Sequence, residues 1–161
     1  DIIKKEEPFS EWQIRNIHQL ILKNIDDDNA GRYRQQNVLI SGATNTPPDY
    51  TLLNDKMAHF VDWYNSESSQ LHPIERAAKV HSDFVGIHPF IDGNGRTSRL
   101  LMNLELMKAG YPPCVITVEN RLAYYEALDQ WMAFGKTEAF NQLVADAVLE
   151  GFKPYQVVLG I

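Results

Sequence analysis

Apolar residues recur at helical spacing along most of this chain. Ile14, Ile17, Ile21 and Ile25 predict a first helix, opened by a serine–x–x–glutamine capping box at Ser10–Gln13. The polar run Asp26-Asp-Asp-Asn-Ala-Gly31 stops it. Leu53, Met57, Phe60, Val61 and Tyr64 mark a second amphipathic helix. His72-Pro73 opens a third, with proline suited to the first turn and Ile74, Ala77, Ala78, His81 and Val85 as its stripe. Gly95 to Lys108 is a fourth, closed by Gly110 and Pro112-Pro113, with Leu100, Leu101, Leu104 and Met107 as its core face. Asn120 caps a fifth helix carrying Leu122, Tyr125 and Leu128, and Thr137 a sixth carrying Phe140, Leu143, Val144 and Ala147. The pattern from Phe152 to Ile161 is ambiguous.

Residues 38–48 break the helical rhythm. β-Branched residues flank Gly42 and Asn45, and Pro47-Pro48 closes the stretch, which reads as a short β-hairpin or as an ordered connecting loop. The expected fold class is therefore all-α with at most one hairpin, in a single domain over 1–161.

Composition changes this picture little. The chain has 161 residues, 44% hydrophobic and 22% charged, enough for a core without a disulfide or metal staple. A net charge of −6 argues against nucleic acid as a direct partner. Cys114, the one cysteine, sits in an apolar segment without a neighbouring cation and reads as a packing thiol. A single thiol suggests a reducing, cytoplasmic setting. The absence of any run of 18 apolar residues gives no reason to expect a membrane partner, and nothing at the start reads as a signal peptide. Because the chain opens on Asp1, it is read as an excised or processed piece.

Candidate chemistry concentrates in HPFIDGNGRTSR, His88 to Arg99. Pro89 disfavours helical geometry at His88, so a loop starts there between the third and fourth helices. Gly93 and Gly95 allow a tight turn, and the unpaired first amides of the next helix form an anion site. A phosphate cradled by Gly93, Asn94 and Gly95 is the physical expectation. Arg96 and Arg99 lie on one side of that helix, where two guanidiniums oppose the helix dipole unless a polyanion sits between them. Asn103 joins them within roughly 60° of arc. Asp92, a lone carboxylate beside phosphates, suits Mg²⁺, and His88 can accept a proton near neutral pH. Phe90 and Ile91 are apolar anchors for the loop. These parts together suit transfer of a phosphorus group from a nucleotide to a hydroxyl. His81 reads as a satisfied core histidine or one supporting the site, and His18, His59 and His72 as structural or surface residues; no transition-metal site is expected.

The same residues resemble the Fic signature, histidine-x-phenylalanine-x-acidic-glycine-asparagine-glycine-arginine-x-x-arginine, at every defining position. Gly31-Arg-Tyr-Arg34 and the 38–48 stretch are similar to the family's flap region. Asn120-Arg121 and Tyr124-Tyr125 resemble its segment near the nucleotide base, and the helix at 137–150 its closing core helix. The resemblance implies six to eight helices around a helix–loop–helix core with a hairpin flap. It implies transfer of AMP from ATP to a serine, threonine or tyrosine of a target protein, releasing pyrophosphate. His88 would be the general base, Phe90 the loop anchor and Asp92 the Mg²⁺ ligand. Gly93, Asn94 and Gly95 would hold the α- and β-phosphates, and Arg96 and Arg99 the outer ones. Asn120, Tyr124 and Tyr125 would approach the base, although two tyrosines on a helix are also ordinary packing. Ile40, Ser41, Gly42 and Ala43 would dock the target segment by strand-like pairing.

Family members differ in chemistry, so removal of AMP, another nucleotidyl or phosphoryl transfer, and nucleotide sensing without turnover are the alternatives. Many members also carry an inhibitory helix whose glutamate pairs with the second motif arginine, here Arg99. No stretch of this chain matches its pattern; Asp146-Ala-Val-Leu-Glu150-Gly151 lacks the hydroxyl residue. The inhibitory helix is expected upstream of Asp1 or on a separate, antitoxin-like chain.

Overall fold

The structure, a computed structural model, describes residues 8–117 and 119–160. Residues 1–7, Val118 and Ile161 of the expected 1–161 domain lie outside the described residues. Six α-helices follow one another: α1 (Glu11–Leu22), α2 (Leu53–Ser66), α3 (Pro73–Ile87), α4 (Asn94–Lys108), α5 (Arg121–Phe134) and α6 (Glu138–Leu159). No strand occurs among the described residues.

Local chemistry sets several helix ends. The Ser10 hydroxyl accepts from Gln13 N–H and the Gln13 side chain accepts from Ser10 N–H, a complete capping box. Pro73 lies in the first turn of α3, and the His72 ring accepts from Ile74 N–H at 3.3 Å. Asn120 and Thr137 stand at the N-caps of α5 and α6 without a side-chain cap bond.

α3 is the central element and touches α2, α4, α5 and α6. Its residues divide between two cores. Val80 and Phe84 join Ile14, Ile17, Met57, Phe60, Phe90 and Leu101. Ala77, Ala78 and Val85 join Met102, Leu106, Leu128, Phe140 and Val144. His81 and Ser82 are buried between these cores, while Glu75 and the Lys79–Asp83 ion pair lie on the helix's outer side. Small residues at 77 and 78 let α4 and α6 approach. Below the cores, Glu105 is buried and holds Arg76 at 3.1 Å, Lys108 at 2.9 Å and the Tyr64 hydroxyl at 2.6 Å. An unpaired carboxylate there would cost several kcal/mol, roughly 3–5 for a broken buried pair.

Several expectations change. The 38–48 stretch is a loop rather than a hairpin. Its one turn, Ala43 N–H to Ile40 C=O at 3.2 Å, has Gly42 at φ +79°. Pro47 and Pro48 donate no ladder bonds, and the loop's anchors are instead Arg34 at its base and Asp129 at its tip. α4 turns slightly from its expected face. Leu101, Met102 and Leu106 are buried, while Leu100 and Met107 are exposed. α5 buries Tyr124, Ala127 and Leu128, leaving Leu122 and Tyr125 out. Ile25 falls beyond α1 and is exposed. The ambiguous tail is helical as far as Leu159, with Pro154 inside α6. No helix among the described residues is long and apolar enough to cross a membrane.

Candidate active site

α3 and α4 form a helical hairpin whose connecting loop carries the motif. α3 ends at His88, which adopts φ 50° and ψ 58°, a left-handed conformation uncommon for a side-chain-bearing residue. Its N–H still reaches Phe84 C=O at 3.0 Å. Pro89 contributes by disfavouring a right-handed helical backbone at His88. The His88 ring places Nδ1 3.2 Å from Val85 C=O. A carbonyl only accepts, so Nδ1 carries the proton and Nε2 keeps its lone pair. Burial, assisted by the Arg34 charge, holds this imidazole below the usual histidine pKa, against the Val85 bond and Asp92. His88 is thus neutral near pH 7, with an unprotonated Nε2.

Three side chains shape the rest of the loop. Phe90 is fully buried and stacks on His18, with ring centroids 3.5 Å apart and planes at 4°. Asn94 is buried and spends its amide on the loop: Nδ2 donates to Phe90 C=O at 2.8 Å and Oδ1 accepts from Phe90 N–H at 2.9 Å. Gly93 sits at φ +80°, and an added Cβ would meet His18 Nε2 at 3.0 Å. Only glycine satisfies both conditions without a shift. Its N–H is already taken by Asp92 Oδ1 at 2.6 Å. No side chain caps α4, and with Gly93 N–H engaged by Asp92 the unpaired donors at its start are the amides of Asn94, Gly95 and Arg96.

Asp92 and Arg96 pair at 2.7 Å on the loop's exposed side. Arg99 has no carboxylate partner among the described residues. It lines a cavity of about 440 Å³ together with His88 and Gly95. Ile40, Ser41, Gly42 and Ala43 form one wall of that cavity and Tyr124 and Tyr125 another. The structure thus brings together the expected flap residues, the histidine, the second arginine and both tyrosines, which are far apart in sequence. Asp92, Gly93, Asn94 and Arg96 flank this cavity without lining it, and Asn120 lines a separate groove between α5 and α6.

The tyrosines differ in role. Tyr124 is buried, and its hydroxyl lies 2.9 Å from His81 Nε2 and within reach of Arg99. Tyr125 is exposed, with the Arg121 guanidinium 5.6 Å from its ring centre. Arg121, Leu128, Asp129 and Met132 also line the cavity. Arg121 falls in the segment expected near the base and Leu128 on the expected stripe of α5, whereas Asp129 and Met132 carry no such signal in the sequence. Asn103, expected beside the arginines, instead brackets Cys114: it accepts from Cys114 N–H at 2.7 Å and donates to Cys114 C=O at 3.1 Å. Arg34 and His18 are the other residues whose parts were not legible. Both are buried and both hold main-chain atoms of the motif loop.

Comparisons with known proteins place the chain by sequence and by fold. The Fic/DOC family profile matches residues 8–106. The chain is 45% identical over 134 residues to the protein adenylyltransferase Fic of Drosophila willistoni, covering 83% of this chain and 26% of that protein. It is 42% identical over 126 residues to the protein adenylyltransferase fic-1 of Caenorhabditis elegans, covering 78% of this chain and 24% of that one. The solved structure of C. elegans Fic-1 superposes with a TM-score of 0.86 at 35% identity, over 99% of this chain and 47% of the other. A Fic-domain signalling protein of Bacteroides thetaiotaomicron gives 0.82 at 30%, over 91% and 61%. The chain spans about a quarter of the length of the curated relatives it matches. With the family profile covering more than half of its residues and the motif loop held between α3 and α4, this chain belongs to the Fic/DOC family.

Proposed function

We propose that this chain is the catalytic part of a protein adenylyltransferase, moving AMP from ATP to a serine, threonine or tyrosine hydroxyl of a target protein. The observation that carries this reading is the neutral His88, whose Nε2 is left unprotonated, in one cavity with Arg99 and Gly95 of α4. Relatives at 40–45% identity bear the name protein adenylyltransferase.

His88 Nε2 takes the proton of the attacking hydroxyl while Nδ1 stays on Val85 C=O. The hydroxyl oxygen bonds to the α-phosphorus. The bond from that phosphorus to the bridging oxygen breaks, and pyrophosphate leaves with the electron pair. The amides of Asn94, Gly95 and Arg96, with the dipole of α4, stabilise charge growing on the phosphate oxygens. Arg99 holds the outer phosphates. Arg96 has the same task at the loop's edge, where it pairs with Asp92 in the structure. Phe90 and Asn94 keep the loop in shape, and Gly93 permits its turn. The Tyr124 ring and Tyr125 form the base pocket, with Asn120 beyond its rim. Ile40 to Ala43 receive the target segment along the loop's main chain.

Mg²⁺ fits the donor set. Asp92 offers one largely exposed carboxylate, and no cluster of three or more His, Cys, Asp or Glu suited to a metal occurs among the described residues. Mg²⁺ commonly takes one or two carboxylates and completes its shell with phosphate oxygens and water, so Asp92 would hold an ion that enters with the nucleotide. When bound, the ion would supply neutralisation of phosphate charge. A helix from elsewhere in the protein, or from an antitoxin-like chain, would inhibit by engaging Arg99. The lone buried thiol of Cys114 supports a reducing, cytoplasmic setting.

Incubation with ATP, Mg²⁺ and a panel of cell proteins, followed by intact-mass measurement, tests the reading. A gain of one AMP on the chain itself or on an acceptor supports it. His88→Ala is expected to abolish the gain while ATP binding persists; full activity in that variant rules His88 out as the base. No gain with any nucleotide would favour a sensing module.

A further inference from the structure

We propose that Arg34 is a positioning residue that ties the target-docking loop to the catalytic histidine and sets the spacing between them. The guanidinium is buried, with 3% of the residue exposed. Burying a charge is strongly unfavourable unless its hydrogen bonds are made. Among the described residues no carboxylate lies within ion-pair distance of it. All its partners are main-chain carbonyls. Nε donates to His88 C=O at 2.8 Å, one terminal nitrogen to Gln36 C=O at 2.9 Å, and the other to Pro48 C=O at 2.6 Å. Its own N–H donates to Pro89 C=O at 2.9 Å.

These four bonds join two segments that no other hydrogen bond among the described residues connects. Gln36 and Pro48 are the two feet of the docking loop. His88 and Pro89 are the start of the motif loop. Arginine has a rigid planar fork with donors on three nitrogens, so the relative placement of three carbonyls is set by one group. The His88 and Pro89 carbonyls flank the peptide that follows the left-handed His88 backbone. Holding both over-determines that conformation, the condition under which such a backbone persists. The Nδ1 bond to Val85, and hence the direction of Nε2, depends on it. A hydroxyl presented by a segment lying on Ile40–Ala43 is therefore placed relative to Nε2 through Arg34. Lysine would keep the charge and lose the fork.

The inference rests on the adenylyl-transfer reading for its catalytic consequence, while the coupling itself does not. Arg34→Lys separates the two. Transfer to a protein acceptor is expected to fall on the order of 100-fold in kcat/KM, the scale of a misplacement of about 1 Å, with ATP affinity unchanged within about twofold. Hydrogen exchange in the same variant is expected to accelerate at Ala43 in the docking loop and at Phe90 in the motif loop, with α6 amides unaffected. Uniform acceleration everywhere, or acceleration in only one of the two loops, overturns the coupling. Coupled exchange with no transfer activity in wild type would leave the coupling standing and remove the adenylyltransferase reading. Should Arg34→Lys lose its melting transition, wild type decides alone. Under conditions where every opening leads to exchange, Ala43 and Phe90 amides are expected to exchange in the same opening events, and independent exchange overturns the proposal.

Discussion

His18 Nε2 lies 2.8 Å from the main-chain carbonyl of Asp92, across 74 residues of sequence. Gly31 N–H approaches the other ring nitrogen at 2.9 Å. An N–H only donates, so Nδ1 accepts and Nε2 carries the proton. One neutral histidine thus holds the turn at Gly93 from below while stacking on Phe90. His18→Ala removes both bonds and the stacking, with an expected loss of about 2–4 kcal/mol by denaturant titration. Gly93→Ala is expected to cost about 1–3 kcal/mol through its positive φ and the 3.0 Å approach to His18. Because the second variant suffers partly from the ring that the first removes, the double variant should lose less than the sum. Strict additivity would mean that the two residues do not press on each other.

His81 is fully buried against the Tyr124 hydroxyl, and burial pulls its pKa down to about 3. The folded chain keeps it neutral while the unfolded chain protonates it near 6.5. Between those values the unfolded state binds the extra proton, so stability falls as pH drops from about 6.5 and the loss levels off near 3. Urea midpoints for wild type should therefore fall more steeply between pH 7 and pH 4 than those of His81→Gln. Parallel curves would show that His81 takes up its proton in the folded state as well.

Burial raises the Cys114 thiol to about 11, and Asn103 brackets its main chain on both sides. At pH 8 the thiolate fraction is therefore small and access is poor. Alkylation of native protein is expected to be far slower than of the denatured chain. Asn103→Ala should speed it and destabilise the fold by about 1–3 kcal/mol, since it strands a buried N–H. Rapid labelling of native wild type would contradict this placement.

Asp129 accepts from Thr44 N–H at 2.6 Å and fastens the tip of the 38–48 loop to α5. Bonds from Thr44 hold its carboxyl below the usual aspartate pKa. A depressed folded pKa means that the contact is complete above the unfolded value of about 3.9 and is lost as pH falls through the folded one. Protection of the Thr44 amide against exchange should then decrease in acid relative to α3 amides. Asp129→Ala should show the same loss already at neutral pH. Equal protection in both proteins would mean that the tip is held by something else.

Helix positions and the place of the motif loop between α3 and α4 were largely legible in order along the chain. The Ser10 box, the His72-Pro73 opening and the glycine turn before α4 are local devices. Their partners lie within four residues, and the physics that makes them work needs no fold. The same holds for the make-up of the motif: a histidine, a carboxylate, a glycine turn and two arginines stand in order along the chain. The 38–48 stretch was not legible, because strand-like composition becomes a hairpin only if its arms pair. Here Arg34 and Asp129 draw its carbonyls and amides elsewhere. α5 was misphased because Tyr124 is buried by a bond to His81, a residue on another helix.

The division follows the range of the forces involved. Caps, turns, helical periodicity and the spacing within His88–Arg99 are short-range and were settled by residue order alone. Which face of α4 and α5 turns inward, and that Asn103 serves Cys114 rather than the arginines, depended on packing between helices. So did the placing of His18 and Arg34 on the motif loop's carbonyls. Those bonds join residues tens of positions apart, and a buried histidine or arginine shows what it holds only once the backbone has brought its acceptors within reach.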